Sequence, residues 1–219
     1  MPRSTAFSTQ GTQLAIETTP GSSITITAIS KAASAIVTGT HSLSVGDEVE
    51  FGASITGMPE IAAQLGVVTA ISTTVSFTVN IDSSAYATAA TGGTAAKKNW
   101  LVISNAKDFD GFNGSASEID TTHMGSDAME YQKGLADSGT LTFNADTDPL
   151  DAGQLAFIVA LGLTGASSFK AFRLKYPGVT GRRLWKGFAK KFSEAGGTNA
   201  VARSSGEIRI SGVVNRYNA

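Results

Sequence analysis

Cysteine is absent from the 219-residue sequence, and histidine occurs only twice, at His41 and His123. Without cysteine there is neither a disulfide framework nor a thiolate metal site. A zinc site would then need more than one histidine, and these two fall in stretches of different character. No run approaches the roughly eighteen apolar residues of a membrane span. The opening "MPRSTAFSTQGT" lacks the apolar segment of a secretory signal. These absences set the expectation of a soluble protein, not exported by such a signal and with no membrane contact. Charge is also sparse, at 16% of residues against the usual quarter. No P-loop, dinucleotide fingerprint, G-x-S-x-G elbow or RNA-recognition motif is present.

What the chain has instead is glycine, serine, threonine, alanine and valine, the composition of a β-rich protein with many turns. A chain of this length makes one large domain or two small ones and buries roughly 65–75% of its unfolded surface. "GTQLAIETTP", Gly11 to Pro20, alternates Leu14 and Ile16 with polar neighbours and stops at Pro-Gly, as a half-buried strand does. The Ser/Thr/Gln-rich residues before it read as a mobile arm.

From Ser22 to Lys97 the texture changes: two lysines, no arginine, no tryptophan, and short β-branched runs such as "SITITAIS", "SAIVTG", "DEVEFG", "GVVTAIS" and "VSFTVNI". That spacing predicts a small all-β barrel or sandwich, inserted as residues 21–97 into a discontinuous domain of residues 1–20 and 98–219. "ATAATGGTAAKK" reads as its low-complexity exit linker. Insertions are tolerated where the interrupted ends lie close, so strands over 12–18 and 100–104 are expected to be neighbours.

Downstream, "GTLTFNA", "FKAFRLKYP", "RRLWKGFAKKFS" and "GEIRISGVV" read as strands. One helix is signalled between them: Asp148 suits a cap, Pro149 the first helical position, Asp151 the positive N-terminus and Gly162 a stop. Leu155, Ile158 and Val159 share one face, with Phe157 and Leu161 beside it, which predicts a helix buried by packing. The fold class is mainly β, an α+β arrangement of antiparallel sheet with one helix, plus the inserted all-β domain.

Three stretches could carry chemistry. In "IDTTHMGSDAMEYQKGL", His123 stands between Asp120 and Asp127, as a general base held by a carboxylate would, but no second catalytic or metal-binding partner accompanies it. "DFDGFNG", Asp108 to Gly114, has the alternating Asp of a calcium loop. Phe112 at position five, Asn113 in place of glycine at six and Ile119 at twelve remove that reading, and leave a turn or hairpin tip. "RRLWKGFAKKF", Arg182 to Phe192, interleaves bases with Trp185 and Phe188. That is the pattern of a stacking platform for single-stranded nucleic acid, and equally of a sheet edge with a partner-facing side.

Net charge is −1 overall, but its distribution is uneven. Lys98 to Asp151 holds ten acids and three bases, net −7, whereas Ala152 to Ala219 holds eleven bases and two acids, net +9. If the acidic part of one copy meets the basic part of the next, the contact is heterologous and generates rings or filaments.

The outer segments resemble the major tail tube proteins of long-tailed bacteriophages. The resemblance runs through "GTQLAIET", "ISNAKDFDGFNGSASEIDTTHMGSDAMEYQKGLADSGTLTF", the helix, "FRLKYPG" and "LWKGFAKKFSEAGGTNAVARSSGEIRISGVV", and is most specific in "EIDTTHMGSDAMEYQKGLADSGTLTF". It implies a β-sandwich subunit with a flanking helix, assembled as stacked six-membered rings around a channel, and no enzyme and no cofactor. The channel holds the tape measure protein and later passes the genome into the host. Tail terminator and tail tip proteins are the further partners implied, and assembly takes place in the host cytoplasm before the subunit resides in the virion. The stretch from Asp110 to Leu135 would include a long loop tying successive rings together, with His123 as an assembly residue. The inserted segment resembles a small β-barrel module known from ubiquitin-activating enzymes and phage structural proteins, here without an enzyme's active residues, and is expected to decorate the tube's outside.

A conduit for DNA should repel phosphate rather than hold it. Some of Asp108, Asp110, Glu118, Asp120, Asp127, Glu130 and Asp137 are therefore expected to face the channel or its rim. His123, Tyr131, Arg182, Arg183, Lys190 and Lys191 are expected at subunit contacts. The Gly/Ser-rich stretches 111–117 and 195–206 are expected to order only on assembly. The alternative is a nucleic-acid-binding module using strand 182–192.

Overall fold

The computed structural model describes residues 9–177 and 181–218. The arm expected before residue 9 lies outside the described residues. Strand β1 (Gln13–Glu17) ends before Pro20. Seven short strands follow: β2 (Ser23–Ile26), β3 (Ala28–Ile29), β4 (Ile36–Thr38), β5 (Glu48–Phe51), β6 (Leu65–Ser72), β7 (Ser76–Val79) and β8 (Gly93–Lys97). Then come β9 (Trp100–Val102), β10 (Ala106–Gly111), β11 (Ser115–Asp120), β12 (Tyr131–Asp137), β13 (Thr140–Asp146), helix α1 (Ala152–Leu161), β14 (Lys170–Lys175), β15 (Arg182–Ala195) and β16 (Arg203–Tyr217). The chain divides into two compact units. One is Met1–Val102, Phe172–Leu184 and Asn215–Ala219; the other is Ile103–Ala171 and Trp185–Val214.

In the first unit, β2 to β8 form an antiparallel sheet in the order β2-β8-β5-β6-β7-β4-β3. Its two ends are one stretch of chain: residues 23–26 pair with β8, the backbone bends at Thr27, and residues 28–29 pair with β4. The sheet thereby closes into a barrel and leaves no open edge. Closure brings β4's exit against β2 so tightly that a Cβ at Gly39 would collide with the Thr25 carbonyl. Inside lies a core of Ile24, Ile26, Val37, Phe51, Met58 and Phe77 with their neighbours. The run "GTAAK", expected as linker, is strand β8: alternate burial of its small side chains against β2 and β5 overrides their weak strand propensity.

Also in the first unit, β1 pairs antiparallel with β9, Ile16 opposite Leu101, and with β14, Ile16 opposite Phe172. The neighbours expected from the insertion geometry are thus hydrogen-bonded. Leu14, Ala15 and Ile16 are all buried, because β1 is flanked on both sides. Where the chain leaves and re-enters the barrel, Thr18 N–H donates to the Asn99 carbonyl (2.9 Å) and Gly21 N–H to that of Lys97 (2.8 Å). Between these crossings Lys98 is buried and ion-paired to both Glu17 and Glu50. Burial alone would depress its pKa, but the two carboxylates outweigh that and raise it.

In the second unit, β10, β13, β16 and β15 are successive neighbours, with Phe109 opposite Phe143 and Phe143 opposite Gly206. Of Asp108 to Gly114, expected as a turn or hairpin tip, residues up to Gly111 belong to strand β10; only Phe112 to Gly114 turn, with Phe112 at φ 60°. Helix α1 packs Phe157, fully buried, edge-on against Phe143 at 5.2 Å and against Phe192 at 5.9 Å. The rings lie over Gly206, where an added Cβ would collide with Phe143.

The helix differs from expectation twice. Its N-cap is Asp151, whose carboxylate accepts from Gln154 N–H (2.7 Å), because Asp148 to Asp151 form a preceding turn closed by Asp151 N–H to the Asp148 carbonyl (3.1 Å). The face it buries is Gly153, Gln154, Phe157 and Ala160; Leu155, Ile158 and Val159 stay exposed. Buried Gln154 explains the choice, since its amide donates to the carbonyls of Asp146 (2.9 Å) and Ser104 (3.2 Å) and anchors that face to the strands.

Candidate assembly surface

The stretch expected to be a loop is a two-stranded ribbon. Strands β11 and β12 pair antiparallel, Asp120 opposite Tyr131, Ile119 opposite Gln132 and Glu118 opposite Lys133, with a bulge between Ala116 and Glu118. A ribbon of two strands has no sheet neighbour to cover it, so nearly every residue from 113 to 137 is exposed. Among them are Ile119, Met124, Met129, Tyr131 and Leu135, the last 90% exposed. Apolar side chains this open on a projecting hairpin are the mark of a surface that becomes covered by a partner.

The tip is held by its own hydrogen bonds. His123 Nδ1 accepts from Gly125 N–H (3.1 Å) and lies 3.1 Å from Ser126 Oγ, while Ser126 N–H donates to the His123 carbonyl (2.9 Å). The ring thus closes a local turn, and its hydrogen-bond partners are Gly125 and Ser126 rather than Asp120 or Asp127. Thr122 donates from its N–H to the Asp120 carboxylate (2.8 Å); the Thr122 side chain and backbone bonds hold that carboxyl below its ordinary pKa. At the base, Asp137 accepts from Gly139 N–H (2.9 Å) and pairs with Arg209 (2.6 Å), which lowers its pKa in the same way. Glu118, Asp127 and Glu130 are exposed along the same ribbon.

The remaining acids lie on the adjoining sheet. Asp108 and Asp110 are on β10, opposite Asn144 and Thr142; Asp108 accepts from the Asn144 amide (2.6 Å) and the Asp110 carbonyl accepts from Thr142 (3.2 Å). Thr142 stands opposite Glu207 and Thr140 opposite Arg209, and Glu207 pairs with Lys190 (2.7 Å). Asp108, Asp110, Glu207, Lys190 and Arg209 therefore share one polar sheet face. Both of those bases are ion-paired, whereas Asp108 and Asp110 have no ion pair among the described residues.

The basic strand does not offer a stacking platform. Trp185 is fully buried, edge-on to Phe112 at 5.1 Å, and Phe188 packs edge-on against Phe169 at 5.7 Å. Arg182 is buried too: it pairs with buried Glu48 and donates to the Gly46 carbonyl (2.7 Å), so its charge is satisfied within the monomer. Arg183 donates to the Asn218 side chain (2.6 Å) and lies over the Tyr176 ring at 5.5 Å. Lys191 is exposed. No group of three or more metal-ligating side chains occurs among the described residues, and none of their helices is long and apolar enough to cross a membrane.

Of the sites expected from sequence, Glu118, Asp120, His123, Asp127, Glu130, Tyr131 and Asp137 are gathered on one ribbon, Asp108, Asp110 and Lys190 on one sheet face, and Arg182 is apart. Sequence reasoning missed Ile119, Met124, Met129 and Leu135, since apolar residues in a strand-like run are ordinarily counted as core.

Comparison with known proteins bears on this geometry. The family model "Phage tail tube, TTP, lambda-like" matches residues 86–158, one third of the chain, spanning β8 to the helix and the whole ribbon. Among solved structures, a chain from the tail of an empty GTA particle, computed with helical refinement and C6 symmetry, is similar at 14% identity. That likeness covers 53% of this chain and 84% of that one, with a TM-score of 0.42. No curated protein matches. Through residues 86–158 the chain is similar to the lambda-like phage tail tube proteins.

Proposed function

We infer that the protein self-assembles into stacked hexameric rings that form a phage tail tube, enclosing the tape measure protein and conducting DNA during ejection. The observation that carries this is the exposed apolar ribbon 115–137, which lies wholly within the segment matched by the tail tube family. A monomer gains nothing from holding Met124, Met129 and Leu135 in water; an assembly that covers them does. In this reading the ribbon ties successive rings, with His123 and Tyr131 at the contact and Arg183 and Lys191 at others.

The polar face bearing Asp108 and Asp110 supplies the channel wall, and Glu118, Asp120, Asp127, Glu130 and Asp137 its rim. Such a wall suits a conduit: its paired bases leave an excess of carboxylate, and phosphate slides past rather than displacing counterions to bind. Residues 21–97 form a decoration domain on the outside, joined to a tube domain of residues 1–20 and 98–219. Tail terminator and tip proteins cap the tube, assembly occurs in the host cytoplasm, and residence is in the virion tail.

Negative-stain microscopy of the concentrated protein tests this. Rings or tubes are expected; solitary particles alone, even with the other tail proteins present, would overturn it. A salt-dependent shift of DNA by the monomer in gels would favour the nucleic-acid-binding alternative instead.

A further inference from the structure

We propose that the exposed face of α1 is the seat for the β11–β12 ribbon of a second copy, an inference that rests on the tube reading above. Helix Ala152–Leu161 contains no charged residue, and its buried face is fixed by Phe157 and Gln154. Opposite that face, Leu155 is 45% exposed, Ile158 40% and Val159 65%, and Leu150 at the helix entrance 88%. A helix apolar all round belongs in an interior, and within one subunit this one has only half of an interior around it.

The occupant is argued from area. The ribbon and the helix face together expose the equivalent of about six fully open large side chains, on the order of 600 Å² of apolar surface. Specific interfaces bury roughly 1,200–2,000 Å², of which somewhat more than half is apolar. Neither patch alone approaches that apolar share, and the two together come close to its lower bound. Ribbon and helix also belong to the same compact unit, so every copy presents both halves of the contact. Because the halves are unlike, the contact is heterologous: each copy gives a ribbon to one neighbour and takes one from another, and the contact propagates. The ribbon's carboxylates, Glu118, Asp120, Asp127 and Glu130, then remain at the rim, where solvent keeps them hydrated, while Met124, Met129 and Leu135 go inward.

The absence of native cysteine makes the test clean. Met124→Cys and Val159→Cys are prepared as separate single variants, each checked by circular dichroism for the wild-type spectrum, then mixed under assembling conditions with a mild copper oxidant. The expected result is a disulfide-linked dimer joining a Met124→Cys copy to a Val159→Cys copy, identified by mass spectrometry, at least tenfold above either variant alone. Rings or tubes in the microscope without that dimer would overturn the seat and leave the tube reading standing. Absence of any assembled object, in the wild type as in the mixture, would overturn the tube reading itself and the seat with it. A second variant guards against a cysteine that disturbs the helix: Val159→Asp should leave the monomer's melting temperature unchanged and abolish rings. Val159→Asp copies that still assemble would overturn the proposal.

Discussion

Replacing Glu48 by alanine should unfold the first unit at markedly lower temperature without any need for assembly to be disturbed. Glu48 is 5% exposed and faces two guanidinium groups: Arg182, itself buried, and Arg173 at 3.5 Å. Burial pushes the Arg173 pKa down, Glu48 opposes that shift and the neighbouring Arg182 adds to it, so the carboxylate is what makes the pair of like charges tolerable. Arg173 further lies over the Trp100 ring at 5.1 Å and Arg182 over Tyr217 at 5.8 Å, which holds both cations where they are. Removing one partner of a buried ionic group strands the others and costs about 3–5 kcal/mol, whereas replacing the group with apolar residues of similar volume is often neutral. For a chain of this size each kcal/mol shifts the melting temperature by about 2–4 °C, so Glu48→Ala should melt about 6–20 °C below wild type by circular dichroism. A triple replacement of Glu48, Arg173 and Arg182 by Met should recover most of that loss. A Glu48→Ala melting temperature within about 2 °C of wild type would show that the carboxylate does not balance these cations, and would return Arg182 to the role of a subunit contact.

Other outcomes follow from the same physical ledger of burial and charge. Gly206→Ala should destabilise the second unit by about 1–3 kcal/mol, because its methyl collides with the Phe143 ring in a packed core, and a denaturant titration reads the loss directly. Asp151→Ala removes the N-cap of α1 and should cost about 1 kcal/mol in the same titration, while Asp148→Ala, outside the cap, should cost less. The ribbon's ends should loosen in acid. Asp120 and Asp137 have folded pKa values depressed below the ordinary 3.8, so their contribution is fully present above 3.8 and lost as the pH falls through the depressed values. Backbone amide shifts of Thr122 and Gly139 that stay constant down through that window would contradict the assignment. Lys98 runs the other way: its raised pKa means that its contribution holds below 10.5 and disappears as alkali titrates it.

Strand positions were legible because β-branched runs broken by Gly, Ser and Asp are local signals, and β2 to β7, β13 and β16 fall on such runs, while β14 and β15, with no β-branched residue, show apolar residues interleaved with bases. Strand β8 was not, because "GTAAK" has no intrinsic preference for extension and is a strand only by lying between β2 and β5. The ribbon was half legible: turn residues from Thr121 to Met129 mark its tip, yet nothing local distinguishes an arm that pairs with itself from a loop. For α1 the pattern was misleading for a definable reason. With Leu, Phe, Ile, Val and Ala on every side, the helix carries no polar stripe to set its orientation, and a single buried amide, Gln154, decides which face turns inward. That decision also moved Leu155, Ile158 and Val159 from the predicted core to the surface, which is where the candidate assembly face comes from.

The opposed charges of the two sequence halves illustrate the same limit. Read along the chain, they suggest that one copy's acids meet the next copy's bases. In three dimensions Arg209 with Asp137 joins the two halves inside the subunit, whereas Lys190 with Glu207 and Lys107 with Asp146 pair within their own halves. Arg173 and Arg182 meet buried Glu48 of the segment 21–97. Exposed pairs of this kind contribute little to stability, and they engage only part of the basic half, leaving Lys191 and Arg203 exposed. Acids without an ion pair among the described residues are concentrated on the ribbon and on β10: Glu118, Asp120, Asp127, Glu130, Asp108 and Asp110. Carboxylates gathered in this way repel a polyanion near the ribbon and β10. In the tube reading cohesion rests on apolar contact, a resource that the ribbon and the open face of α1 both hold unspent. Assembly driven in this way should tolerate high salt, and tubes that dissolved at about 1 M sodium chloride, where screening acts within roughly 3 Å, would show the opposite division of labour.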